Sequence, residues 1–126
     1  MMAMNAAAAY KDSKILTASP AELTLLLYEG AIKFGNLAVY AIENKDYSKA
    51  NLNVIKAEKI ITELRATLNH DYPVAESFER VYEHVYNRLV EGNIKKNVEI
   101  LEEAIGYIRE MRDTWKEVMR LTKGTR

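Results

Sequence analysis

Two histidines, His70 and His84, and 18 aspartates and glutamates are the side chains of this 126-residue sequence with which metal or proton chemistry could be built. Cysteine is absent, which removes disulfides, zinc–thiolate sites and a thiol nucleophile. A di-metal site in a helical bundle needs a Glu-x-x-His pair on each of two helices and two further inward glutamates. Val81 stands three residues before His84 and Thr67 three before His70, and no Glu-x-x-His occurs in the chain. Glu83 and His84 are adjacent, hence about 100° apart on a helix, which suits surface positions better than a shared metal. Glu102 and Glu103 read as a solvated face. There is no Gly-x-Ser-x-Gly elbow and no phosphate-binding glycine loop. No catalytic residue, metal or cofactor is expected.

The charge balance narrows the class further. Eighteen basic residues offset 18 acidic ones, so nucleic-acid binding through clustered Lys and Arg is not expected. From Arg109 onward six basic residues face three acidic ones, a mild positive end suited to steering an acidic partner. Tyrosines outnumber phenylalanines eight to two. A tyrosine ring buries apolar surface while its hydroxyl reaches solvent or a partner, and Tyr40, Tyr47 and Tyr107 read as rim residues. Arg112 lies close to Trp115 in projection, either snorkelling or stacked, or touching a partner.

The elements that carry these residues are all helical. Ser19-Pro20-Ala21-Glu22 combines an N-cap, a proline at the first helical position and a capping-box acid. A helix runs from there to about Glu43. Asn44-Lys45-Asp46 makes a polar turn, and a second helix runs from near Ser48 to about Asn69. His70-Asp71-Tyr72-Pro73 interrupts it. A third helix covers roughly residues 74–91 and ends at Gly92-Asn93; a fourth runs from about Ile94 to Leu121. Four helices with short loops predict an all-α, antiparallel up-down-up-down four-helix bundle over 19–122. Residues 1–18 read as an extended or partly helical N-terminal arm, and 123–126 as a frayed end. Met1 to Ala9 lacks a basic leader, and Leu23 to Ile42 carries Glu29 and Lys33 in its middle. A soluble, cytoplasmic chain without membrane insertion is therefore expected.

Each helix has an apolar seam at spacings of three and four, as a bundle core requires. The first helix has a second stripe, Leu25, Tyr28, Ile32, Gly35 and Val39, about 140–200° from Leu23. The second repeats it weakly with Leu52 and Ile55, continued by Lys59. Burying each large apolar side chain is worth about 1.5–3 kcal/mol, so this stripe calls for cover. Three covers stay open: the N-terminal arm, a second copy of the chain, or the helix of a partner. The arm carries Tyr10, Ile15 and Leu16. A tethered arm holds a groove at high effective concentration and yields to a longer helix.

Several segments together resemble a known family. They are Ala9-Tyr10, the run from Thr17 through Ser19-Pro20-Ala21-Glu22-Leu23 to Leu27-Tyr28-Glu29-Gly30-Ala31-Ile32, Ile55 to Leu64, Leu68-Asn69, Tyr86 to Asn93, and Met111 to Trp115. From about Ala9 to about Arg120 the chain resembles the FliS family of flagellar secretion chaperones, with Gly92 and Thr114 at positions where the family often has Ala. The resemblance implies a non-enzymatic, cytoplasmic chaperone. It would bind the disordered C-terminal segment of flagellin, prevent premature filament polymerisation and hand the client to a component of the flagellar export gate. It also implies that the arm, with Tyr10, covers part of the groove before the client arrives. The expected contacts are Tyr10, Leu25, Tyr28, Ile32, Val39, Leu52, Ile55 and Lys59, on a monomer or weak dimer. The alternative is an architectural bundle that homodimerises through the second stripe.

Overall fold

Pro20 opens the first helix because Ser19 is an ideal stop for the preceding chain. The Ser19 hydroxyl accepts from the Glu22 amide at 3.2 Å, and the Glu22 carboxylate accepts from the Ser19 amide at 2.8 Å. Both halves of the capping box are thus made. The structure is a computed structural model and describes residues 18–124. Its helices are α1 (Pro20–Glu43), α2 (Tyr47–Ala66), α3 (Ala75–Lys95) and α4 (Val98–Gly124). Each helix packs on its neighbours in chain order, and α1 and α4 close the ring. This is the four-helix bundle that the periodicity predicts. The expected arm lies outside the described residues apart from residue 18. Residues 123 and 124, expected to fray, continue α4.

Three boundaries differ from the sequence expectation. α2 ends at Ala66, ahead of Asn69, because the Thr67 hydroxyl donates to the Glu63 and Leu64 carbonyls and closes the last turn. Gly92-Asn93 does not end α3. The helix runs through both residues to Lys95, and Lys96 turns the chain in the left-handed conformation at φ 50°, ψ 46°. The Asn97 amide then bonds to the Gly92 carbonyl and the Lys96 amide to that of Asn93, a Schellman closure. α4 consequently begins at Val98, four residues later than expected. Gly92 serves packing instead: a Cβ there would lie 2.6 Å from Leu101 Cδ2, so the missing side chain lets α3 and α4 approach.

α1 has the length and hydropathy of a membrane span, but 61% of its most apolar window is buried in the bundle. Its main seam faces α2: Gly30 sits under Ile60, and Lys56 lies 5.2 Å from the Phe34 ring centroid. Its second stripe meets α4 at Gly35, which accommodates Ile105: a Cβ there would stand 2.7 Å from Ile105 Cγ1. The surplus apolar surface is thereby explained. α1 is lined with apolar residues on both flanks because it is wedged between two helices.

Candidate functional site

A cleft lies between the first half of α1 and the last half of α4. Trp115 fixes its geometry: the indole N–H donates to the Ala21 carbonyl at 2.9 Å, tying α4 to the first turn of α1. Beside this contact is a cleft of about 640 Å³, lined from α1 by Ala21, Glu22 and Leu25 and from α4 by Trp115, Lys116, Val118, Met119 and Arg120. Further along the same two helices is a shallower depression of about 450 Å³ between Glu29, Ile32, Lys33, Asn36 and Leu37 on one side and Arg112 on the other. Arg109 donates to Asn36 at 3.4 Å at its far end. The strip has an apolar floor, a mixed α1 wall with Glu22, Glu29 and Lys33, and an α4 wall with Arg112, Lys116 and Arg120. That is the arrangement of a groove for an amphipathic helix.

The expected site residues fall into different surroundings. Leu25 is half-buried in the cleft wall, and Ile32, 8% exposed, forms the floor of the depression. Val39 is buried further along α1. Tyr28, expected on the stripe away from the main seam, is instead a core residue at 1% exposure, its hydroxyl 2.6 Å from that of Tyr82 on α3. Burial raises the pKa of both tyrosines, and each stays a neutral hydroxyl at any ordinary pH. Leu52, Ile55 and Lys59 lie on the outward side of α2, away from the α1–α4 cleft; Leu52 is 53% exposed and Ile55 half-buried. The two halves of the expected contact set therefore do not share one groove. Tyr10 lies outside the described residues.

The residues that sequence reasoning missed are Met119, Lys116 and Arg120. All three sit in the last turns of α4, and their one signal was the mild positive charge after Arg109. Arg112 does not stand free: its Nε donates to Asp113 at 2.9 Å. Glu103 is not merely a solvated acid. It accepts from Arg88 at 3.2 Å and lies 3.6 Å from His84, whose ring meets Tyr107 edge-on, so it ties α3 to α4. Among the described residues, no three His, Cys, Asp or Glu side chains converge as a metal site.

Comparison with known proteins gives this groove a family context. The family model described as flagellar protein FliS matches residues 3–122. The flagellar secretion chaperone FliS of Bacillus subtilis (strain 168) is 44% identical over 119 residues, covering 94% of this chain and 90% of that protein. Its counterpart in Campylobacter jejuni is 29% identical over 112 residues, 87% and 88% of the two chains. That of Vibrio cholerae is 27% identical over 109 residues, 85% and 80% of the two. With a family model spanning nearly the whole chain and a relative of this closeness, the chain belongs to the FliS family of flagellar secretion chaperones.

Proposed function

We propose that this chain is a cytoplasmic export chaperone that binds the disordered C-terminal segment of flagellin, prevents its premature polymerisation and delivers it to a component of the flagellar export gate. The observation that carries this reading is the α1–α4 strip, an apolar floor between charged walls on a chain of the FliS family. A client segment that cannot bury its own apolar face folds against this floor, and the binding free energy offsets the ordering entropy. Leu25 and Ile32 supply the floor on α1, and Trp115 and Met119 supply it on α4. Before the client arrives, residues 1–17, with Tyr10, hold the strip from a short tether. Leu52, Ile55 and Lys59 form a separate, outward contact on α2 for a client that wraps around the bundle.

The test is calorimetric titration of the full chain with a flagellin C-terminal peptide. Met119→Asp places a charge in the cleft on a half-exposed residue. It is expected to keep the parent's helicity and to weaken binding at least about tenfold, the loss of one apolar contact of 1.5–3 kcal/mol. Ile32→Asp is a poorer choice, since at 8% exposure it threatens the fold as well. Binding by Met119→Asp that equals the parent's would rule out the cleft.

A further inference from the structure

Charge is spread unevenly over this neutral chain. From Lys33 to Ile42 on α1 and from Tyr47 to Ala57 on α2 there is no aspartate or glutamate. Lysines occupy that stretch instead: Lys33 on α1, Lys49 and Lys56 on α2, with Lys59 just beyond. Lys49 and Lys56 are seven residues, or two helical turns, apart and so share a face, as do Leu52 and Lys59. Lys56 fixes which face this is, because its ammonium lies 5.2 Å from the centroid of the Phe34 ring on α1. Lys33 approaches the same ring at 5.9 Å. Glu58 interrupts the run in sequence but not in space. It stands seven residues before Arg65, which pairs with Glu79 on α3, and is therefore turned to the other flank of α2.

The pairing of the other cations sharpens the contrast. Each of the six arginines from Arg65 to Arg120 bonds to a carboxylate or, for Arg109, to Asn36. Among the described residues, Lys49, Lys56 and Lys59 have no carboxylate partner. Apolar surface is left open beside them: Tyr40 is 64% and Leu52 53% exposed. Gly30 against Ile60 and Phe34 against Lys56 set the antiparallel register of α1 and α2. In that register Tyr40 and Lys49 stand at one height along the boundary, with Leu52 and half-buried Leu37 about one turn further on.

The result is a band along the α1–α2 boundary, an apolar line among lysines, about 15 Å long from Lys49 to Lys59 at 1.5 Å per residue. A surface of this shape takes a helix laid lengthwise, with its apolar residues in the boundary. Leu37 and the Phe34 ring sit in the trough between the two helices, where a protruding side chain reaches them and a flat lipid surface does not. The lysines set the charge of the occupant, since an acidic helix gains charge pairs there and a basic one is repelled.

We infer that the α1–α2 boundary is a docking surface for an acidic amphipathic helix of a partner protein, about three turns long, its apolar stripe on Leu37, Tyr40 and Leu52 and its carboxylates on Lys49, Lys56 and Lys59. The surface lies on the flank of α1 away from the α1–α4 strip. It shares Leu52 and Lys59 with the outward contact proposed above but does not require flagellin as its occupant.

The probe is a synthetic helical peptide with a leucine stripe flanked by glutamates, labelled for fluorescence anisotropy, and a twin with glutamine in place of every glutamate. The full chain is titrated as the parent, as Lys49→Gln with Lys59→Gln, as Leu52→Ser and as Arg80→Glu. Lys49, Leu52 and Lys59 are exposed, so circular dichroism should show the parent's helicity in each variant. Arg80→Glu, at an exposed position on α3, is the control, because it lowers the net charge by two, as the double lysine variant does. The parent binds the glutamate peptide about tenfold more tightly than the glutamine twin in low salt, and the margin narrows in high salt. The double lysine variant loses about fivefold for the glutamate peptide and nothing for its twin, Leu52→Ser weakens both, and Arg80→Glu stays within about twofold of the parent.

Equal binding of the two peptides by the parent overturns the inference. So does a loss in Arg80→Glu as large as that in the double lysine variant. Vesicles of phosphatidylglycerol and phosphatidylcholine that sediment the parent but not the double lysine variant, with neither peptide bound, assign the face to a lipid surface. A parent dimer in light scattering that the double lysine variant loses assigns it to the acids of a second copy. Either result overturns the inference, and none of the four touches the chaperone reading, which the flagellin peptide tests.

Discussion

Adding one methyl group to Gly92 tests how tightly α3 and α4 are held together. The Cβ of Gly92→Ala would stand 2.6 Å from Leu101 Cδ2, 2.9 Å from its Cγ and 3.2 Å from Ile100 Cγ2. Leu101 is fully buried, and its branch point, as well as a rotatable methyl, lies inside contact distance. Two effects oppose each other. Replacing glycine by alanine inside a helix is favourable by about 1 kcal/mol. Overpacking a close-packed core costs about 1–3 kcal/mol, and a clash with a branch carbon belongs in the upper part of that range. The net expectation is a loss of about 1–2 kcal/mol. Gly106 on α4 is the control, because a Cβ there meets nothing within 4 Å; only the first effect applies, and Gly106→Ala should gain about 1 kcal/mol. Thermal unfolding followed by circular dichroism separates the two. At about 4 °C per kcal/mol for a domain of this size, Gly92→Ala should melt below the parent and Gly106→Ala above it. Equal gains by both variants would refute the close-approach account of Gly92.

Three further outcomes follow from other contacts. Ser19→Ala removes the capping box at an exposed position and should lower stability by about 1 kcal/mol, read as a lower melting temperature in thermal unfolding. Alkaline pH should destabilise the parent. Above the ordinary tyrosine pKa of 10.0 the unfolded chain loses protons that the buried Tyr28 and Tyr82 retain. The unfolded state then binds fewer protons, and stability falls by up to about 1.4 kcal/mol per pH unit for each of the two. The drop in melting temperature between about pH 8 and about pH 11 should shrink in Tyr82→Phe, and an unchanged drop would contradict the buried pair. Finally, with zero net charge and an apolar floor, flagellin-peptide affinity should change less than about threefold between low and high salt, where screening weakens exposed charge pairs; a steep salt dependence would point to the charged walls instead.

The candidate site was legible in part. Leu25 and Ile32 were found by spacing, and they do line the α1–α4 strip. Met119 was not found, because a methionine in the last turns of a helix looks like any seam residue until the neighbouring helix is in place. Tyr28 has the spacing of a stripe residue, yet it reaches across the core to Tyr82, 54 positions away. Periodicity gives a residue's angle on its own helix and says nothing of what stands opposite.

What the sequence by itself determined is what short-range chemistry determines. Ser19, Pro20 and Glu22 start α1 through contacts within three residues, and the spacing of apolar residues makes four helices whatever surrounds them. The matched segments identify the family. The tertiary structure decided whether a glycine is a stop or a seat: Gly92 and a terminating glycine are the same residue in sequence, and only Leu101 of the adjoining helix distinguishes them. It also decided where α1's second stripe goes: Gly35 meets α4, Tyr28 reaches α3, and Leu25 and Ile32 line the α1–α4 boundary. The physical reason is that packing brings together residues far apart in the chain, and no local pattern encodes which pairs will meet.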